Sequence, residues 1–325
     1  MAAGTLSLDK SNAPERKTRT PFGDAMHQLF NNRLAIAGMT IIALLILIAI
    51  FAPLIAPHPF DGANFQYVHE SPQTVTEDGR LFLLGTDNLG RDTLSRTIYG
   101  TRISLAVAFV ASIVSLIIGV VYGLIAGYSS KTVDNIMMRF VDFIWAIPFI
   151  VLIILIQVAV KAFSAREAGG IAGAVLSLDR ASGGILILFI AIGLFNWLGM
   201  ARIARGQTLS LKNKEFVEAA RATGASDFKI IFKHILPNIL GPCLIYESLA
   251  IPGYILLESF LSFIGLGVNP PTPSWGIMIS DEVGSLRPYP FALFTPAIAL
   301  TITVLAFNFL GDGLRDAFDP RMRDE

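Results

Sequence analysis

Two carboxylates, Glu247 and Glu258, stand in a stretch that is otherwise almost wholly apolar. An ionised side chain near mid-bilayer costs about 3 kcal/mol or more, so such groups face a bundle interior or water and are candidates for handling an ion or a solute. Their spacing is close to three helical turns, which puts both on one face unless Pro252-Gly253 turns the helix between them. They are expected to line a passage or a seam between subunits, or simply to hydrogen-bond neighbouring helices. Little else suggests chemistry. Cys243 is the single cysteine, and His27, His58, His69 and His234 are scattered, so neither an internal disulfide nor a metal site is expected. No Ser/His/Asp, Cys/His or paired-carboxylate arrangement points to covalent catalysis. The Walker A pattern needs Gly-Lys, which occurs nowhere, and Gly265-Leu-Gly267 lacks the preceding strand and third glycine of a dinucleotide site. The chain is expected not to be an enzyme and to bind no cofactor itself.

The elements that hold these residues are apolar helices. Hydrophobic residues make up 53% of 325, charged residues 15%, and the mean hydropathy is +0.61. Soluble domains carry about 25% charged residues, so most of this chain avoids water. The net charge is zero, which provides no basic field for nucleic acid. Six stretches reach the roughly 20 residues that a transmembrane helix needs: 34–56, 103–128, 140–160, 184–203, 239–266 and 291–310. The third starts awkwardly, after Asp134, Arg139 and Asp142, and Pro148 is expected to kink it. The first is longer than a signal-peptide core and is read as an uncleaved anchor. In the second, Gly119, Gly123 and Gly127 form consecutive G-x-x-x-G spacings, a small face suited to close helix packing.

With the N-terminus inside, seventeen of the 25 Lys and Arg residues fall on the cytoplasmic side and eight on the other, so both termini are placed in the cytoplasm. The division that follows is a cytoplasmic N-terminal tail with an interfacial helix (1–33), a first transmembrane helix (34–56), an extracytoplasmic loop (57–102), a core of five transmembrane helices (103–310) and a cytoplasmic C-terminal tail (311–325). Residues before about 20 are polar and expected to be disordered. In the interfacial helix, Phe22, Met26, Leu29 and Phe30 make one apolar face. Asp92, after the turn-rich 85–92, is expected to cap a short surface helix carrying Leu94 and Ile98.

The cytoplasmic loop 204–237 of the core is the most informative stretch. It predicts two short helices at an angle. The first ends at Gly224, which can take a left-handed conformation; Ser226 caps the second, whose Phe228, Ile231, Phe232 and Ile235 form a stripe; Pro237 stops it. Ala219, Ala220 and Ala222 would let a partner surface approach closely, with Glu218 and Arg221 offering charged contacts. The same geometry also suits a plain connector between spans.

The loop resembles the EAA motif of ABC-importer permeases: Glu-Ala-Ala, three residues, Gly, nine residues, then Ile-x-Leu-Pro. Glu218, Ala219, Ala220, Gly224, Leu236 and Pro237 fit that spacing, and His234 replaces the isoleucine, as is usual in the peptide-importer branch. Stretches 85–100, 201–212, 257–276 and 308–321 are similar to ABC-importer inner-membrane permease subunits of the oligopeptide/dipeptide family, C-type. The resemblance implies an all-α integral membrane protein with six transmembrane helices in the type I ABC-importer permease fold, in a bacterial or archaeal inner membrane. It also implies that the loop couples to an ATPase subunit through Glu218, Ala219, Ala220, Arg221 and Gly224, with Leu236 and Pro237 fixing its exit. Implied partners are a second homologous permease, two ATP-binding subunits carrying ATP and Mg, and an extracytoplasmic substrate-binding protein. Oligopeptides are the implied cargo, with dipeptides, nickel or another small solute as alternatives for the same machinery. An ion-driven secondary transporter is the competing class, in which Glu247 could be a proton site.

Overall fold

The computed structural model describes residues 21–164, 170–181 and 184–318; the expected disordered tail and the last residues, from 319, lie outside that range. Helices α1 (Pro21–Asn31) and α2 (Arg33–Ile55) meet at Asn32, whose side chain accepts from the Leu34 and Ala35 amides at 3.0 and 3.2 Å. A long loop carrying the small antiparallel hairpin β1 (Thr74–Val75) and β2 (Leu81–Phe82) leads to α3 (Thr93–Tyr128). There follow α4 (Lys131–Trp145), α5 (Phe149–Ser164), α6 (Gly170–Ala181), α7 (Ile185–Leu211) and α8 (Glu215–Ala222). Helix α9 (Asp227–Lys229) continues through a π-helical turn (Ile230–Ile235) into α10 (Leu236–Phe263), and α11 (Trp275–Glu282) and α12 (Pro290–Phe318) are the last helices among the described residues.

Among the described residues five helices are long and apolar enough to cross a membrane: α2, α3, α7, the continuous α9–α10 rod and α12. The third expected span, 140–160, is not one helix. It is divided between α4 and α5, which are bent by 78°. Ala146 caps α4, and Pro148 cannot donate the bond that would continue it. Helix α4 is instead amphipathic and starts at Lys131, well before the apolar run. Helix α6 has no counterpart in the sequence reading.

Two other boundaries move. Asp92 does cap a helix, its Oδ2 accepting from the Ser95 amide at 2.8 Å, but that helix is α3 itself, 36 residues long, rather than a short surface piece. Residues 311–318, assigned to the C-terminal tail, are the last turns of α12, where a Cβ on Gly313 would run into that of Ala35. Helix α1, expected at the interface, turns Met26 and Leu29 onto Leu314, Ala317 and Phe318 of α12 and leaves Phe30 exposed.

Helix α3 is the centre of the bundle. Against α7 it presents Gly119, Gly123 and Gly127. A Cβ on Gly119 would lie 2.5 Å from Met200 Cβ, one on Gly127 2.7 Å from Thr208 Cβ, and one on Gly123 against the Ala201 carbonyl. Contacts advance along both helices together, so α3 and α7 run parallel. The expected close-packing role of this glycine row is what the structure displays.

Candidate functional site

Helix α8 is short, and its ends are built locally. Glu215 and Glu218 lie in its first turn, where the helix dipole favours them. At its exit the Gly224 amide bonds the Arg221 carbonyl at 3.0 Å and the Ala225 amide bonds that of Ala220 at 3.1 Å. This is a Schellman ending, and it requires the left-handed φ of +81° that Gly224 has. Ser226 Oγ then accepts from the Lys229 amide at 3.4 Å, as its position predicted.

The expected docking face is only partly available. Glu218, Ala219, Arg221 and Ala222 are exposed. Ala220 is not: at 8% exposure it turns inward with Val217 and packs in the cluster that holds Ile230 and Ile235. Pro237 does not stop the helix either. The π-helical turn absorbs it: the Leu236 amide bonds Ile231, and Asn238 Nδ2 donates to the His234 carbonyl at 2.6 Å. The wider turn also rotates the stripe. Ile230 and Ile235 are buried, Leu236 is half-buried, and Phe228 is 71% exposed, stacked obliquely on Phe232 at 4.5 Å.

The loop is also fastened to the end of α3. Lys212 Nζ donates to the Gly127 carbonyl at 2.9 Å, the Tyr128 hydroxyl donates to Asp227 Oδ1 at 2.6 Å, and Arg221 Nη2 reaches that hydroxyl at 3.4 Å. The Arg221 guanidinium is held above its ordinary pKa chiefly by this bond to Tyr128. Nearby, α4 is pinned to α7 by Arg205, which donates to both Asp134 oxygens at 2.5 and 2.7 Å, and by Arg202, which bonds Asp142 at 2.7 Å and stacks over the Trp145 ring at 3.7 Å. The charges that looked awkward before the third span are thereby partnered, apart from Arg139, which is exposed.

Glu247 and Glu258 do share a face, so Pro252-Gly253 does not turn one away from the other. That face meets α3. Glu247, 3% exposed, is hydrogen-bonded by Ser115 at 3.1 Å and Tyr254 at 2.8 Å. Glu258, fully buried, is bonded by Ser262 at 2.7 Å and Ser104 at 3.4 Å. Both carboxyls are satisfied by hydroxyls from neighbouring turns and helices.

At the other end of α3 lies a charge cluster, buried except at the side chain of Asp281, that sequence reasoning did not assemble. Arg91 Nε donates to Asp87 Oδ2 at 2.7 Å, and Arg96 Nε stands 3.2 Å from the same oxygen. Asp281 is 3.5 Å from Arg91, while Glu282 accepts from the Asn88 amide at 2.8 Å and pairs with His69 at 2.9 Å. His69 holds a left-handed φ of +55°, unusual for a non-glycine residue, and stacks on Tyr289 at 4.3 Å. Burial lifts the Asp281 carboxyl above the ordinary aspartate range, only partly offset by Arg96 and Arg91. The signal available in sequence was the dense Gly85-to-Asp92 turn; its partners lie some 190 residues away.

Residues 119–324 match the family described as binding-protein-dependent transport system inner membrane component, and residues 20–72 match the N-terminal TM domain of oligopeptide transport permease C. The chain belongs to the binding-protein-dependent inner membrane components. This inner membrane component is 42% identical to an oligopeptide transport system permease protein of Haemophilus influenzae, over 97% of this chain and 93% of that one. It is 38% identical to a dipeptide transport system permease protein of Bacillus subtilis, over 92% and 86%. Among solved structures it is similar to the MetNI methionine ABC transporter in an inward-facing conformation, with a TM-score of 0.52 at 19% identity, covering 69% of this chain and 97% of that one. The fold is the type I ABC-importer permease fold, and the protein is a multi-pass permease subunit of the inner membrane.

Proposed function

We propose that this permease subunit forms half of a pathway for oligopeptides and is driven by ATP hydrolysed on other chains, to which α8 couples it. The support for coupling is one observation: an exposed face of Glu218, Ala219, Arg221 and Ala222 on a short helix that is firmly seated on the end of the bundle. Such a helix can enter a groove and carry a push without collapsing. The cargo is inferred from the relatives, oligopeptide transport permeases foremost, with dipeptides, nickel or another small solute as alternatives. The second permease, the two ATP-binding subunits with their ATP and Mg, and the extracytoplasmic binding protein are inferred from family membership. The absence of Gly-Lys in the sequence agrees with an ATP site located elsewhere. The seventeen-to-eight Lys/Arg asymmetry supports cytoplasmic termini and an α8 loop on the cytoplasmic side.

The ion-driven reading would need an accessible ion site. Glu247 is its best candidate, and it is enclosed by Ser115 and Tyr254. Uptake in cells whose membrane potential is collapsed while ATP is maintained separates the two. ATP drive predicts uptake that continues; uptake that stops with the potential while ATP stays high would overturn it.

A further inference from the structure

We propose that Tyr128 is a positioning residue that ties the α8 loop to the end of α3, so that displacement of α8 is delivered to α3; this rests on the coupling reading of α8 given above. The loop is held at its entry, middle and exit by the same helix end. Lys212 lies before α8, Arg221 within it and Asp227 after it, and all three bond Gly127 or Tyr128. The remaining support of α8 is apolar: Val217 and Ala220 rest among Ile230, Ile235 and Leu124. Apolar contact is non-directional and resists separation more than sliding. A hydrogen bond to a carboxylate is directional and strong, and the 2.6 Å bond to Asp227 is of the short kind.

A tyrosine suits this place because its hydroxyl both donates and accepts. It donates to Asp227 while Arg221 donates to it, which bridges the two flanks of the Gly224 turn. Phenylalanine can do neither. Beyond Tyr128 the displacement has a stiff carrier. Helix α3 is continuous for 36 residues, about 54 Å. It grips α7 through its glycine row and α10 through Ser115 and Ser104, and its far end enters the Asp87–Arg96 cluster. A brace that merely stabilised the loop would alter assembly. A positioning residue alters how much transport each ATP yields.

The test uses the whole complex in proteoliposomes, with its permease partner, ATP-binding subunits, binding protein and a labelled oligopeptide pool. Tyr128→Phe is expected to assemble and to keep unstimulated ATPase activity, while uptake per ATP falls about tenfold, the effect of losing one charge-assisted hydrogen bond. Asp227→Asn should act in the same direction, and the double variant should be no worse than the worse single, because both remove one link. Ala219→Trp is measured alongside. If it abolishes uptake while Tyr128→Phe and Asp227→Asn both stay within about twofold of the parent, the positioning role is overturned and coupling through α8 stands. If Ala219→Trp transports fully, both fall together. Loss of assembly in Tyr128→Phe would also overturn the proposal, in favour of a plain brace.

Discussion

Ser115 on α3 bonds Glu247 on α10 at 3.1 Å, and three turns away along each helix Ser104 meets Glu258 at 3.4 Å. One position advances as the other recedes, so the two helices run antiparallel in a fixed register, with a buried carboxyl at each rung. The rungs hold α10 to α3, which also holds α7 through Gly119, Gly123 and Gly127.

If these carboxyls serve packing, their isosteres are tolerated and their removal is not. Glu247→Gln keeps a hydrogen-bonding partner for Ser115 and Tyr254, and uptake should remain near that of the parent. Glu258→Ala leaves Ser262 and Ser104 without theirs and should destabilise the subunit by about 1–3 kcal/mol. Thermal unfolding of the purified complex in detergent measures the second, and peptide uptake the first. A large loss of uptake in a well-assembled Glu247→Gln complex would return Glu247 to the pathway.

The glycine row makes a sharper contrast. A Cβ on Gly123 would strike the Ala201 carbonyl, whereas one on Gly206 would meet nothing within 4 Å. Gly123→Ala should therefore destabilise by about 1–3 kcal/mol through overpacking. Gly206→Ala should be neutral or gain a few tenths, since it favours the helix at no steric cost. Equal melting temperatures for the two variants would contradict the close approach of α3 and α7.

The two alanines of the loop should fail differently. Ala219 is exposed, so Ala219→Trp should block docking without changing the stability of the subunit. Ala220 faces Val217 and Ile235, so Ala220→Trp should lower stability by about 1–3 kcal/mol before any partner is added. Gly224→Ala should be destabilising by about 1 kcal/mol or more, because its φ of +81° is strained for any residue with a Cβ. Unfolding of the subunit alone, set against recovery of ATP-binding subunits on co-purification, separates these outcomes.

A pH effect follows from Asp281. Its carboxyl is raised by burial, so between its unfolded and folded pKa values the folded state binds more protons and stability falls as pH rises. Asp281→Asn cannot lose that proton-linked contribution. The variant should therefore gain on the parent as pH is raised from below 4 to neutrality, with no gain at the acid end. Melting temperatures of both proteins across that range test the sign.

Spans, glycine packing and the Gly224 turn were legible because each depends on a local pattern: apolar length, small-residue spacing, a left-handed helix end. The shared face of Glu247 and Glu258 was legible from helical geometry alone. The hydroxyls that occupy that face were not, because Ser115 and Ser104 lie more than 130 residues away. Distance hid the Asp87–Glu282 cluster and the Tyr128–Asp227 bond in the same way. The exposure of Phe228 was missed for a different reason: a π-helical turn before Pro237 changes the periodicity on which a stripe is read. Ala220 turns inward because that side of α8 meets Ile230 and Ile235, a tertiary contact that small-residue composition does not encode. Likewise α3 begins well before its apolar run, because the stretch from Thr93 to Arg102 is rich in Thr, Ser and Arg that the bundle nevertheless covers in large part.

The most direct test of coupling through α8 is a cross-link from Glu218→Cys, on its exposed face, in the assembled complex. Coupling through α8 predicts a product with an ATP-binding subunit whose yield changes when nucleotide is bound. It is contradicted if no such product forms, or if an impermeant thiol reagent reaches that cysteine only from the outer face of the membrane.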